Sequence, residues 1–216
     1  MNNMKKVLIA FSLMMTAMCI YAQEFVFPPE LNWWIDEIKK VDPSASLDKF
    51  KFVSESFIYE DDHPVSFKNK LYPVFFLWNF YGDRFAYNDI YAKLYKEKSG
   101  KYSISTDVDS VFAIFDRKEN LLFEQFFGSP SWINSFCWVT DSRLVSVGVT
   151  ILPTQLSNDN FLSVAFTIYD YRIENAKMTV REYNYCVDIK RSDWEKLKLN
   201  WYEQRSDYFE SEKEQE

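Results

Sequence analysis

Glycine is scarce in this chain. The four present, Gly82, Gly100, Gly128 and Gly148, lie far apart. A phosphate-cradling loop or a dinucleotide fingerprint needs closely spaced glycines, so no nucleotide is implied, and no cofactor is expected. Histidine is scarcer still. His63 alone is available to a Ser-His-Asp or Cys-His arrangement, and it sits in the polar turn Asp61-Asp62-His63-Pro64 with no marked nucleophile beside it. Adjacent residues rarely converge on one ion, so the turn reads as exposed acid rather than a metal site. Asp107-Val108-Asp109 and Asn158-Asp159-Asn160 lack the glycine and distal glutamate of a calcium loop and read as turns that bond their own backbone. No metal is expected.

Clustered basic charge is also missing. With 32 acids against 25 bases the net charge is −7, and the nearest approach to a basic patch, Lys93, Lys96, Lys98 and Lys101, is interrupted by Glu97. Phosphate contacts need clustered Lys and Arg, so nucleic acid is a poor partner. No apolar run is long enough for a span of about 20 residues. The one at the start, Val7 to Cys19, follows Lys5 and Lys6 and precedes Ala22-Gln23. A basic start, a short apolar run and a small residue before a polar one is the pattern of a secretory signal peptide cut after Ala22. The expected product is exported, periplasmic or extracellular, with no membrane span after cleavage. Lipidation at Cys19 is the weaker alternative, because Met18 stands where a small residue is wanted.

What remains fits one domain, residues 23–209, with an acidic tail, 210–216, that frays. It keeps two cysteines, Cys137 and Cys186. An oxidising compartment permits a disulfide between them, and two separate buried thiols are equally compatible with the sequence. If formed without strain, such a bond would contribute roughly 4 kcal/mol by loop-closure arithmetic.

Aromatics are what the chain has in abundance, at 19%. Together with β-branched residues they mark four consecutive strands, Ser135 to Thr140, Leu144 to Leu152, Phe161 to Tyr171 and Lys177 to Tyr185, as an antiparallel meander. Val145, Val147, Val149 and Ile151, and Leu162, Val164, Phe166 and Ile168, alternate at period two, which predicts sheets half-buried on one face. The loop from Pro153 to Asn160 is the one most free to carry a site. Upstream, Leu31, Trp34, Ile35 and Ile38 recur at helical spacing, and Phe50 to Tyr59 reads as a strand. Leu71 to Tyr81 is greasy on both parities and predicts a strand covered on both sides at the centre of the fold. Tyr87 to Tyr95 fits either strand or helix. Tyr102 to Thr106, Ser110 to Phe115 and Leu121 to Phe127 add three strands. Ser192-Asp193-Trp194-Glu195 reads as a capping box opening a longer amphipathic helix through Trp201 and Tyr208.

The expected class is therefore α+β, mainly antiparallel β: an open or sandwiched meander sheet with a short N-terminal and a longer C-terminal helix. An internal echo offers an alternative. Ile114-Phe115-Asp116 and Glu119-Asn120 are repeated as Ile168-Tyr169-Asp170 and Glu174-Asn175, and a hairpin of this look resembles the outer half of a β-propeller blade. The candidate contact residues are Trp138, Tyr183, Tyr185 and Arg181, since amphipathic rings beside an arginine suit a sugar ring or a protein surface. Two functions follow: an exported non-catalytic binding or structural domain contacting a protein or glycan through an aromatic sheet face, or a carboxylate-dependent hydrolase of the cell envelope with two acids in a pocket.

Overall fold

The computed structural model describes residues 25, 27–60, 65–68, 70–88, 93–96, 98–105, 110–153 and 160–199. The leader with Cys19, the Asp61–Asp62–His63 turn, Asp107–Asp109, most of the loop after Pro153 and the acidic tail lie outside them.

The expected meander is present and longer than read. Strands β8 (Ser131–Thr140), β9 (Arg143–Leu152), β10 (Phe161–Glu174) and β11 (Lys177–Lys190) pair antiparallel in order, and β1 (Lys51–Tyr59) adds to β11 as the outer edge of a five-stranded sheet. The β10–β11 hairpin closes through Asn175 and Ala176, whose φ values of 49° and 59° define a two-residue turn of the kind whose twist suits paired strands. A second, four-stranded sheet is ordered β2 (Leu77–Trp78), β3 (Arg84–Asn88), β6 (Ser110–Asp116) and β7 (Leu121–Phe127). The segment read as either strand or helix, Tyr87 to Tyr95, begins in the last two residues of β3 and ends in β4 (Lys93–Lys96), which pairs with β5 (Tyr102–Ser105) in a separate ribbon.

The sheets are open, and they enclose one core between them while the short helix α1 (Asn32–Lys39) seals another on the far face of the larger sheet. In the first, Phe112 of β6 lies 5.1 Å from Tyr171 and 5.3 Å from Phe136, and Phe127 of β7 lies 5.3 Å from Tyr169, measured between ring centroids. In the second, Leu31, Trp34, Ile35 and Ile38 meet Val145, Val147, Val149, Phe166 and Ile168. The helical spacing was sufficient to identify that face. Burying four such side chains is worth roughly 6–12 kcal/mol as an upper figure.

Strand β10 is therefore the doubly covered centre. Val164 through Tyr171 are all buried, alternately toward the helix and toward the second sheet. This corrects the half-buried reading: the small Ala165 and Thr167, with Gly148 and Ser146 beside them, are not a solvent face but part of the face on which the second sheet lies. The centre is also not Leu71 to Tyr81. Pro73, which fixes φ and lacks an N–H, opens a 3-10 turn at Pro73–Phe75, and only Leu77–Trp78 pairs, at the sheet edge. The apolar run there feeds a ring stack, with Phe76 on Phe85 at 3.9 Å and Phe85 on Phe115 at 5.2 Å.

The C-terminal helix is likewise corrected among the described residues. It is a single turn, α2 (Arg191–Trp194), whose N-cap is Lys190 with no side-chain cap bond. β11 runs on to Lys190, so Ser192 falls inside the turn instead of before it. Trp194 packs on Trp132 at 6.1 Å, and Leu199 is buried in the helix-side core. The repeat does not produce blades: its two copies belong to hairpins of different sheets. Asp116 Oδ1 accepts from the Lys118 and Asn120 amides of its own turn, while Asp170 is engaged by arginine side chains.

Candidate binding site at the turn end

The four residues expected to make one aromatic face are divided by the sheet. Trp138 points into the inter-sheet core, 5% exposed, and donates its indole N–H to the Leu77 carbonyl at 2.8 Å. Tyr183, Tyr185 and Arg181 lie on the other face. Tyr183 is half-buried between Phe25 at 5.0 Å and Phe52 at 5.8 Å. Tyr185 packs on Phe50 at 5.6 Å and donates its hydroxyl to the Asp42 carboxylate. Burial, then that bond, raises the Tyr185 phenol above its ordinary range. Arg181 donates Nε–H to Glu55 at 2.6 Å. A bulge at Asn134, where the pairing skips between Ile133 and Ser135, sends Trp138 to the opposite face from the tyrosines.

Cys137 and Cys186 are free thiols. Strands β9 and β10 lie between theirs, which at the usual strand spacing separates them by at least about 14 Å, beyond the reach of a disulfide. Burial, with Glu30 adding to it, pushes the Cys137 thiol up to about 11.

Exposed rings gather elsewhere. Phe80 is 72% exposed, Tyr81 79% and Trp78 40%, all at the turn that joins β2 to β3. The reason is local. Asn79, only 4% exposed, turns inward while its neighbours point out. Its Oδ1 accepts from the amides of Asp83 at 3.1 Å and Arg84 at 3.2 Å, and its Nδ2 donates to the Asp83 carboxylate at 2.6 Å and the Asp141 carbonyl at 3.3 Å. The Gly82 amide donates to Asn79 O at 3.0 Å, with Gly82 at φ 65°, the left-handed conformation that glycine adopts without steric cost.

The turn is also clamped from outside. The Tyr81 amide donates to Asp141 Oδ1 at 2.6 Å, and Arg117 Nε donates to the Gly82 carbonyl at 2.9 Å. Asp141 belongs to the β8–β9 turn and Arg117 to the β6–β7 turn. The β10–β11 hairpin joins the same end, since the Ile173 amide donates to Ser142 O at 2.8 Å. Turns from both sheets thus meet at one end of the sandwich and hold two exposed rings on a braced backbone. Such an arrangement can stack on a flat ligand or fill a groove at small entropic cost, because the backbone is ordered before contact.

The sequence carried a signal for this turn that the hydrophobic run obscured: Asn79, Gly82 and Asp83 are turn residues interleaved with aromatics. Among the described residues no group of three or more His, Cys, Asp or Glu is placed to hold a metal ion. No helix of the described residues is long and apolar enough to cross a membrane. Set against known proteins, the chain matches no family model, no curated protein and no solved structure.

Proposed function

We propose that this chain is an exported, non-catalytic binding domain whose contact surface is the turn end of the sandwich, with Phe80 and Tyr81 as anchors for a protein or glycan. One observation carries the reading: two large rings, 72% and 79% exposed, sit on a turn whose backbone and buried asparagine are fixed by at least six hydrogen bonds. Large apolar side chains held out into water on a braced turn are costly unless they meet something, and exposed aromatics on a rigid support dominate binding hot spots. The leader-like start supports export. Phe52, Phe57 and Tyr59 of β1, at 59%, 50% and 70% exposed, lie at the opposite edge of the five-stranded sheet and are not part of this surface.

The test compares the wild type with a Phe80→Ala, Tyr81→Ala double variant in two assays. One is retardation in gels containing single soluble polysaccharides. The other is photo-crosslinking in the cell envelope from a benzophenone side chain at position 78. The reading expects at least one ligand or one discrete adduct that the double variant loses while its melting temperature holds. Binding that survives loss of both rings would overturn it.

A further inference from the structure

Strand β1 is an edge that nothing among the described residues covers. It pairs with β11 on one side and with no described strand on the other, and seven of its nine residues are exposed. In an antiparallel ladder successive residues turn their backbone groups alternately toward and away from the partner strand. The Glu60 amide donates to the Ala176 carbonyl at 2.9 Å, one step beyond the Tyr59–Lys177 pair, and this fixes the phase. Ile58, Ser56 and Ser54 turn their N–H and C=O groups toward β11, whereas Glu55, Phe57 and Tyr59 turn theirs outward.

Sheets blunt such an edge with lysine, proline, bulges or a cover. In β1 these devices are confined to the start, at Lys51 and at the register shift around Val53. The other edge of the same sheet, β8, is interrupted twice, between Ile133 and Ser135 and between Trp138 and Thr140. From Ser54 to Tyr59 the pairing with β11 is regular, proline is absent, and the one charge, Glu55, is held by Arg181 at 2.6 Å. The Phe57 ring is also met within the chain, by Lys177 Nζ at 4.3 Å from its centroid. What stays open is the row of outward backbone groups, and such a row is complementary to an extended strand.

We infer that this strand is β1 of a second copy, paired antiparallel about a two-fold axis at Phe57, so that two large sheets become one continuous sheet. In this register Phe57 faces Phe57 and Glu55 faces Tyr59, which engages every outward residue of Ser54 to Tyr59 in both copies. A register centred on Glu55 sets two carboxylates face to face, and one centred on Tyr59 runs off the end of the strand. Lys177 stands directly opposite Tyr59 on the far side, so each Glu55 lies between its own Arg181 and the Tyr59 and Lys177 of the other copy. The contact uses the same patch twice and therefore closes at a dimer. It is independent of the Phe80 and Tyr81 turn, which is clamped to the β8–β9 turn at the other side of the sheet.

Sedimentation and backbone amide exchange of the exported chain, with its thiols reduced, test this. A one-strand contact is small, so the measurements are made at about 10 µM and about 1 mM, either side of a dissociation constant on the order of 100 µM. The Phe57 and Tyr59 amides should exchange about four-fold more slowly at the higher concentration, by mass action, while those of Ser56 and Ile58, already bonded to β11, should not change. Phe57→Pro removes an outward N–H and leaves the β11 ladder intact. Phe57→Glu places a carboxylate beside Lys177 in its own chain but opposite an identical carboxylate across the axis. Both variants should sediment as monomers at the higher concentration. A monomeric wild type there overturns the inference, and so does a dimer that persists in Phe57→Glu or whose Phe57 amide exchanges at one rate throughout, since the contact then lies elsewhere. A Phe57 amide that is already slow in the monomer also overturns it, because the chain then covers its own edge.

Discussion

The indole N–H of Trp34 donates to Asn134 Oδ1 at 2.9 Å, joining α1 to the bulge of β8 across the helix-side core. Asn134 is fully buried and its amide nitrogen donates in turn to the Leu199 carbonyl, so one side chain ties together the N-terminal helix, the edge of the large sheet and the segment after α2. Asn134→Ala leaves a buried donor and a buried carbonyl without partners. The expected loss is about 2–4 kcal/mol, read as a fall in melting temperature on the order of 5–15 °C. A change within 2 °C would show that these groups find water instead.

The β10–β11 turn offers a gain. Ala176 sits at φ 59°, where a side chain costs roughly 1–2 kcal/mol and glycine does not. Glycine also loosens the unfolded chain, so Ala176→Gly should stabilise by a net amount of about 0.5–1 kcal/mol. The same change at Asn175, φ 49°, should give less, because asparagine tolerates this region. Urea midpoints of the two variants measure the difference.

Gly148 is required for space. A Cβ there would lie 2.6 Å from the Trp132 carbonyl oxygen, opposite the bulge, where backbone cannot easily yield. Gly148→Ala should cost about 1–3 kcal/mol in denaturant unfolding, with the slope of the transition unchanged.

Alkaline pH should weaken the fold through its buried phenols. Desolvation raises Tyr171 well above its ordinary value of 10.0, and raises Tyr169 in the same direction with Glu182 adding to it. Below that ordinary value both rings are neutral whether the chain is folded or not, and stability is unaffected. Above it the unfolded chain releases its protons first, so stability falls as pH rises toward the higher folded-state values. Urea unfolding between pH 8 and about pH 11.5 should show this decline, and Tyr171→Phe should make it shallower. An equal slope in the variant would assign the decline to other groups.

Much of the fold was legible in the sequence. The strands of the large sheet and the buried stripe of α1 follow from period-two and helical spacing, which depend only on neighbours along the chain. What was hidden depends on partners elsewhere. The small residues Ala165 and Thr167 read as a solvent face until Phe112 and Phe127 from another sheet are placed over that side of β10. The bulge at Asn134 shifts parity in mid-strand, so no alternation could place Trp138 with or against Tyr183. The β2–β3 turn was masked by its own aromatics: Phe80 and Tyr81 continue a greasy run, and only the inward bonding of Asn79 shows that the chain has turned.

That bonding is also where the functional reading is most exposed to a direct check. Backbone amide relaxation of Phe80, Tyr81 and Gly82 reports whether the rings stand on an ordered support. A braced turn predicts order parameters of about 0.85, the same as in the sheets, in the free protein. Values below about 0.6 would describe a loose loop with incidental aromatics, and would contradict a surface organised for binding.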